Sequence, residues 1–204
     1  MKPNLPNPQP EGSSRRPAPG GLGLLQSFIN TLEIETGQDK LGTGAGLESW
    51  LREHGLAEAT TSISAADAQH CAQVREALRD LLEANRGSAV AKSAAEALSR
   101  AARSSQLVLR FDDGGGAILQ PAATGVDATI GRILSIAYAA MIDGSWHRLK
   151  VCEDDTCRWA FYDYSKNCSG SWCSMAVCGN RSKARRYRTR RKPSTSSTRE
   201  SHRR

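Results

Sequence analysis

Five of the six cysteines in this 204-residue chain fall between Cys152 and Cys178, and four of them form two equally spaced pairs, Cys152-x4-Cys157 and Cys173-x4-Cys178, with fifteen residues between the pairs. Two Cys pairs joined by a middle loop are the plan of a closed tetrahedral zinc site, because a thiolate is a soft ligand that suits this redox-inert ion. A redox role would call for a Cys-x-x-Cys pair, which the chain lacks. A catalytic zinc keeps one position for water, so four thiolates would make the site structural, with one Zn2+. Cys168 is then a bystander or an alternative ligand, and His147, five residues before Cys152, is a weaker substitute. Cys71 lies far upstream on an apolar helical stripe and is assigned to packing.

A second chemistry follows directly. From Arg181 to Lys192, eight of twelve residues are Lys or Arg. Residues 151–204 hold thirteen of the 28 basic residues and five of the 21 acidic ones, so the net charge of +7 belongs to the C-terminal quarter. A local basic run points to a polyanion, most often nucleic acid. The candidate contacts are Asn180, Arg181, Lys183, Arg185, Arg186, Arg188, Arg190 and Arg191. Phosphates supply affinity and base edges supply specificity. Asn180 and Arg181 are the candidates for base reading, since Asn pairs with adenine and Arg with guanine in a bidentate way. The alternatives are structural: Asn180 caps or braces the cysteine knuckle, and Arg181 braces it against Asp163. If six basic residues meet phosphates, the salt slope is about −5.

The elements that must position these residues can also be read. Residues 1–20 are rich in Pro and Gly and read as a disordered lead-in. Residues 21–147 read as a helical domain. Leu24, Leu25, Phe28, Ile29 and Leu32 share helical spacing, with Gly37 as the expected C-cap. Leu47, Trp50 and Leu51 mark a short helix stopped by Gly55. Ser64 and Asp67 open the longest helix, with Cys71, Val74, Leu78, Leu81 and Leu82 on its stripe and Gly87 at its end. An alanine-rich helix follows over roughly 88–103. QLVLRF, DDGGG and AILQP then read as a β-hairpin. A helix comes next, with Ile130, Ile133, Leu134, Ile136, Ala137 and Ala140 inward, and a strand is expected at Leu149 to Val151. Residues 148–192 form the cysteine module and basic helix, with Ser174 as its cap, and 193–204 read as a disordered tail. Six of the eleven aromatic residues lie between Trp159 and Tyr187, enough to give a module of this size a miniature core beside its metal. Tyr187 stands inside the basic run.

The stretch from Cys152 to Cys157, followed by FYDYS, WCSM and CGNRSKARRY, closely resembles the CGNR-type zinc finger of bacterial proteins. The resemblance implies that Cys152, Cys157, Cys173 and Cys178 are the zinc ligands. SFINTL (27–32), SWLREHGL and VREALRDLL are similar to the partner domain of that family, called ABATE. Together the similarity spans roughly residues 22 to 190. It implies a stress-related transcription regulator whose N-terminal domain is suspected of sensing.

The fold expected is mainly α (α+β): a helical N-terminal domain with one β-hairpin, then a small four-cysteine zinc module and a basic helix. The function expected is a DNA-binding transcriptional regulator, whose first domain senses a small-molecule effector or mediates dimerisation. An RNA- or ribosome-associated zinc protein is the alternative. No enzyme is expected, because the chain has no nucleophile motif, paired carboxylates or phosphate loop. No unbroken run of eighteen apolar residues and no signal-peptide core is present, so a cytoplasmic protein without a membrane partner is expected.

Overall fold

The computed structural model describes residues 16–57 and 62–190. The expected tail (193–204), Arg191, Lys192 and residues 1–15 of the lead-in lie outside the described residues.

The first helix, α1 (Leu22–Ile29), is shorter than its apolar spacing predicts. It stops at Asn30, and the Thr31 hydroxyl donates to the Phe28 carbonyl at 2.7 Å. The next residues form a small hairpin, β1 (Leu32–Glu33) with β2 (Gln38–Asp39). Gly37 does adopt positive φ, but in that hairpin's turn rather than at a helix end. The β-branched Thr31, Ile34 and Thr36 disfavour continuing the helix past Asn30.

Helix α2 (Gly44–Glu53) starts on a Thr43 cap and buries Leu47, Trp50 and Leu51. Helix α3 (Ala65–Glu83) starts on a full capping box between Ser64 and Asp67. Its stripe of Cys71, Val74, Leu78 and Leu82 is buried as expected, and Leu81 is partly buried against the core. Helix α4 (Lys92–Ser104) begins at Lys92, later than expected, and has no side-chain cap. The predicted hairpin is present as β3 (Leu107–Phe111) and β4 (Ala117–Pro121), with Leu109 opposite Leu119. Helix α5 (Gly125–Ile142) is long and apolar enough to cross a membrane by length and composition, as a core helix also is, but Asp127 and Arg132 interrupt its apolar run. Its Ile130, Ile133, Leu134 and Ala137 lie in the central core.

A third hairpin joins β5 (Leu149–Val151) to β6 (Ala160–Tyr162). Two of the three hairpins, β1–β2 and β5–β6, thus add to the single one expected. Leu149, Val151 and Ala160 are fully buried in the same core as Phe28, Leu78 and Ile133. The strands that carry the cysteine module therefore belong physically to the helical domain.

Residues 16–20 also depart from the expected disordered lead-in. Ala18 is buried, and its amide donates to Gln26 Oε1 at 2.6 Å. The Tyr164 hydroxyl donates to the Pro17 carbonyl at 2.6 Å, and Arg16 stacks 4.4 Å over the Tyr164 ring. The short segment thereby ties the start of the chain to the middle loop of the cysteine module.

Candidate metal centre and basic helix

The knuckle between Cys152 and Cys157 grows out of the β5–β6 hairpin. The Cys152 amide donates to the Trp159 carbonyl at 3.0 Å, continuing the ladder past Val151. The Cys157 and Arg158 amides both donate to the Asp154 carbonyl, at 2.8 and 3.0 Å, which closes the turn. Asp154 also accepts from the Thr156 amide and hydroxyl through Oδ1. Arg158 adopts a positive φ, a conformation that glycine normally takes. Its side chain is held by Glu83 at 2.6 Å and Asp80 at 3.2 Å, and its carbonyl accepts from Arg79 at 2.8 Å.

The second pair is set by the start of the last helix. Ser174 is the N-cap, and its hydroxyl accepts from the Val177 amide at 3.3 Å. A wide turn (Met175–Gly179) carries Cys178 inward before α6 (Asn180–Arg190) begins. A Cβ on Gly179 would run into Met175 Sδ and approach Trp172, so a side chain there would make the exposed Met175 move aside.

The four sulfurs of Cys152, Cys157, Cys173 and Cys178 lie within 4.8 Å of one another, and all four residues are buried. Cys173 Sγ is 3.6 Å from Cys157 Sγ and 3.7 Å from Cys178 Sγ, and none of the four is in a disulfide. Tetrahedral zinc with Zn–S bonds of about 2.3 Å puts its sulfurs about 3.8 Å apart. The cluster therefore fits one structural Zn2+ with no open position. Hydrogen bonds from Cys157 and Cys173 lower the Cys152 pKa, whereas burial and the charge on Cys152 push Cys178 up to about 12. Four neighbouring thiolates thus require a cation to replace their protons. Phe161, Trp159 and Trp172 pack around the sulfurs as the expected miniature core. Cys168 and His147 are outside the cluster: Cys168 Sγ faces the His147 carbonyl, and the His147 ring contacts the Gly144 carbonyl.

The middle loop is held by a buried ion pair. Lys150 Nζ lies 2.8 Å from Asp163 Oδ2, with side chains 7% and 4% exposed. Lys150 also donates to the Cys168 and Gly170 carbonyls, and Asp163 accepts from the Ser165 and Gly170 amides. Burial by itself would raise the Asp163 pKa, but its hydrogen bonds with Lys150, Ser165 and Gly170 outweigh that and hold it well below the usual carboxylate range.

Two family models match the chain in order. Residues 23–143 match ABATE, described as "Putative stress-induced transcription regulator", and residues 148–191 match the CGNR zinc finger. The chain belongs to the ABATE family. A comparison with curated proteins finds no match. The two matched segments are joined through the ABATE domain's α1. Asn30 donates through Nδ2 to the Ala160 carbonyl and accepts the Ala160 amide through Oδ1, both at 2.8 Å, so its side chain pairs with β6 as a neighbouring strand would. Arg79 of α3 is fully buried and also donates to the Ile29 carbonyl, at 2.7 Å.

The candidate nucleic-acid residues divide into two groups. Asn180 Nδ2 donates to the Ala176 carbonyl at 3.1 Å, which is the bracing alternative. Arg181 is also a brace, but not against Asp163, which Lys150 occupies. Its guanidinium contacts Glu35 of the ABATE domain at 2.8 Å, Thr156 at 3.2 Å and Asp154 at 3.4 Å. Arg185 reaches Asp154 at 3.3 Å. Lys183, Arg186, Arg188 and Arg190 are exposed and form no ion pair among the described residues, and Tyr187 is exposed beside them. The sequence reading passed over Asp154, Lys150, Arg79 and Asn30. Arg75 and Arg79 sit one turn apart on the flank of an apolar stripe, which is a legible signal. Asp154, one acid among three in the Cys-x4-Cys gap, gave none.

Proposed function

We propose that this protein is a transcription regulator that binds duplex DNA through α6, with its zinc centre as a structural brace rather than a catalytic site. The observation that carries this reading is the state of α6. Six of its eleven residues are Lys or Arg, none is acidic, and none is buried. An isolated helix of this length is marginal in water, and like charges one turn apart, such as Arg186 and Arg190, weaken it further. The zinc knuckle anchors only its first two turns, through Arg181 and Arg185. A polyanion along the remaining turns relieves the repulsion and releases counterions. Lys183, Arg186, Arg188 and Arg190 supply phosphate contacts; Arg191 continues the run outside the described residues. Asn180, Arg181 and Arg185 hold the first two turns in place, and base reading falls to the exposed side chains beyond them. The thiol-rich centre suits the cytosol.

The ABATE domain is the regulatory half of this reading. A small-molecule effector that moved α1 or the β1–β2 turn would act on α6 through Asn30 and Glu35.

A mobility-shift assay with duplex DNA and RNA, before and after chelation, tests the proposal. Salt-dependent duplex binding that disappears with the zinc is the expected result. Equal competition by unrelated RNA would favour the RNA reading, and binding indifferent to chelation would overturn the role of the zinc as a brace.

A further inference from the structure

Within the ABATE domain one face joins a protruding hairpin to an open recess. The base of β3–β4 is locked to α5: a Cβ on Gly131 would lie 2.7 Å from Pro121 Cβ and 2.8 Å from Ser105 Cβ. Beyond that base the hairpin carries Leu109 and Phe111 on one face, 61% and 71% exposed, and Ile118 beside Arg110 on the other, 58% exposed. Among the described residues its two strands pair only with each other, so both edges are open. Between β4 and α5 runs an open groove of about 860 Å3 whose apolar wall includes Ile136, Tyr138 and Ile142, the last 72% exposed. Unpaired strand edges, and large apolar side chains exposed on both faces of the hairpin and beside it in the groove, mark an interaction site.

Charges of both signs stand on the protrusion and in the recess. The protrusion carries Arg110, Asp112 and Asp113, with Asp112 turned back onto the Gly114 and Gly116 amides, and the recess carries Asp143 and Arg132. None of the five forms an ion pair among the described residues. We propose that a second copy of this chain covers this face, with the hairpin of each copy laid into the groove of the other about a two-fold axis. Asp113 then meets Arg132, and Arg110 meets Asp143, twice over. An isologous contact of this kind uses the same patch on both subunits and closes as a dimer. A small apolar ligand suits the face less well, because it would fill an open groove and still leave Leu109 and Phe111 in water. No residue of the finger takes part, so the inference stands apart from the DNA reading.

Sedimentation equilibrium of the zinc-loaded full chain tests it. A dimer is expected. Phe111→Asp and Ile142→Asp change positions already exposed to water and should each weaken the dimer by at least about tenfold. Asp113→Arg should weaken it as well, and adding Arg132→Asp should restore it. A monomeric wild-type chain overturns the proposal. So does a dimer that ignores Phe111→Asp and Ile142→Asp, and so does a charge swap that fails to restore the single variant.

Discussion

Arg181 Nη2 lies 2.8 Å from Glu35 Oε1, a contact that spans 146 residues of sequence and links the ABATE domain to the first turn of the basic helix. The same guanidinium faces Asp154 as an ion pair at 3.4 Å; the Asp154 side chain is only 1% exposed, and its Oδ2 has no hydrogen-bond partner among the described residues. The two contacts differ in worth. The Glu35 pair is partly in water and contributes about 0.5 kcal/mol, whereas Asp154 is a buried carboxylate that needs its cations. Glu35→Gln should therefore leave zinc release to a chelator nearly unchanged, and Arg181→Ala should speed it. The reverse order would show that the interdomain contact, not the knuckle, holds the helix.

Cys173→Ser should reduce bound zinc from one per chain to none. Because Leu149, Val151 and Ala160 are core residues of the helical domain, the loss should spread beyond the finger. Zinc in such sites contributes on the order of 10 kcal/mol of folding energy. Chelation should lower the melting temperature of the whole chain in one calorimetric transition. A finger transition separate from the main one would contradict the shared core.

The Lys150–Asp163 pair predicts a pH dependence. The Asp163 carboxyl is held below its usual pKa of about 3.9, so its contribution to stability is complete above that pH and fades as pH falls toward the lower, folded value. Asp163→Asn should cost about 3–5 kcal/mol near neutrality, by leaving Lys150 buried without its counter-charge. The difference between wild type and variant in urea unfolding should shrink as pH falls below about 4. Comparing the two proteins cancels the cysteine protonation common to both. A gap that is constant with pH would mean that the pair acts only through packing.

Arg79→Met should be among the most damaging substitutions outside the cysteines. It removes the donors to the Ile29 and Arg158 carbonyls and leaves Glu76 without one of its two arginines. Orphaned buried acceptors cost about 1–3 kcal/mol each. Urea unfolding should show a loss of about 2–5 kcal/mol. A loss under about 1 kcal/mol would mean that water replaces the guanidinium.

Arg186→Ala and Arg188→Ala should weaken duplex DNA binding similarly for all sequences. Each should reduce the salt slope by about 0.9 and leave zinc stoichiometry intact. An unchanged slope would remove these residues from the phosphate contacts.

The amino-acid sequence by itself determined the local terms. Cysteine spacing marked the metal centre, because two short gaps around one loop can close on a single ion. Apolar periodicity found the helices, and Ser64 with Asp67 and Ser174 placed caps where hydroxyls satisfy free amides. Gly37 was read correctly as a left-handed position but assigned to the wrong turn, since positive φ serves a hairpin as well as a helix end. Only the tertiary structure decided what depends on distant partners. It seated Asn30 along β6, put β5–β6 into the core of the helical domain, paired Lys150 with Asp163, and gave Arg181, whose bracing partner was expected to be Asp163, the partners Glu35 and Asp154 instead. The physical reason is that a side chain's charge and hydrogen-bonding capacity are written in its identity, whereas the group that satisfies them is chosen by how the chain packs.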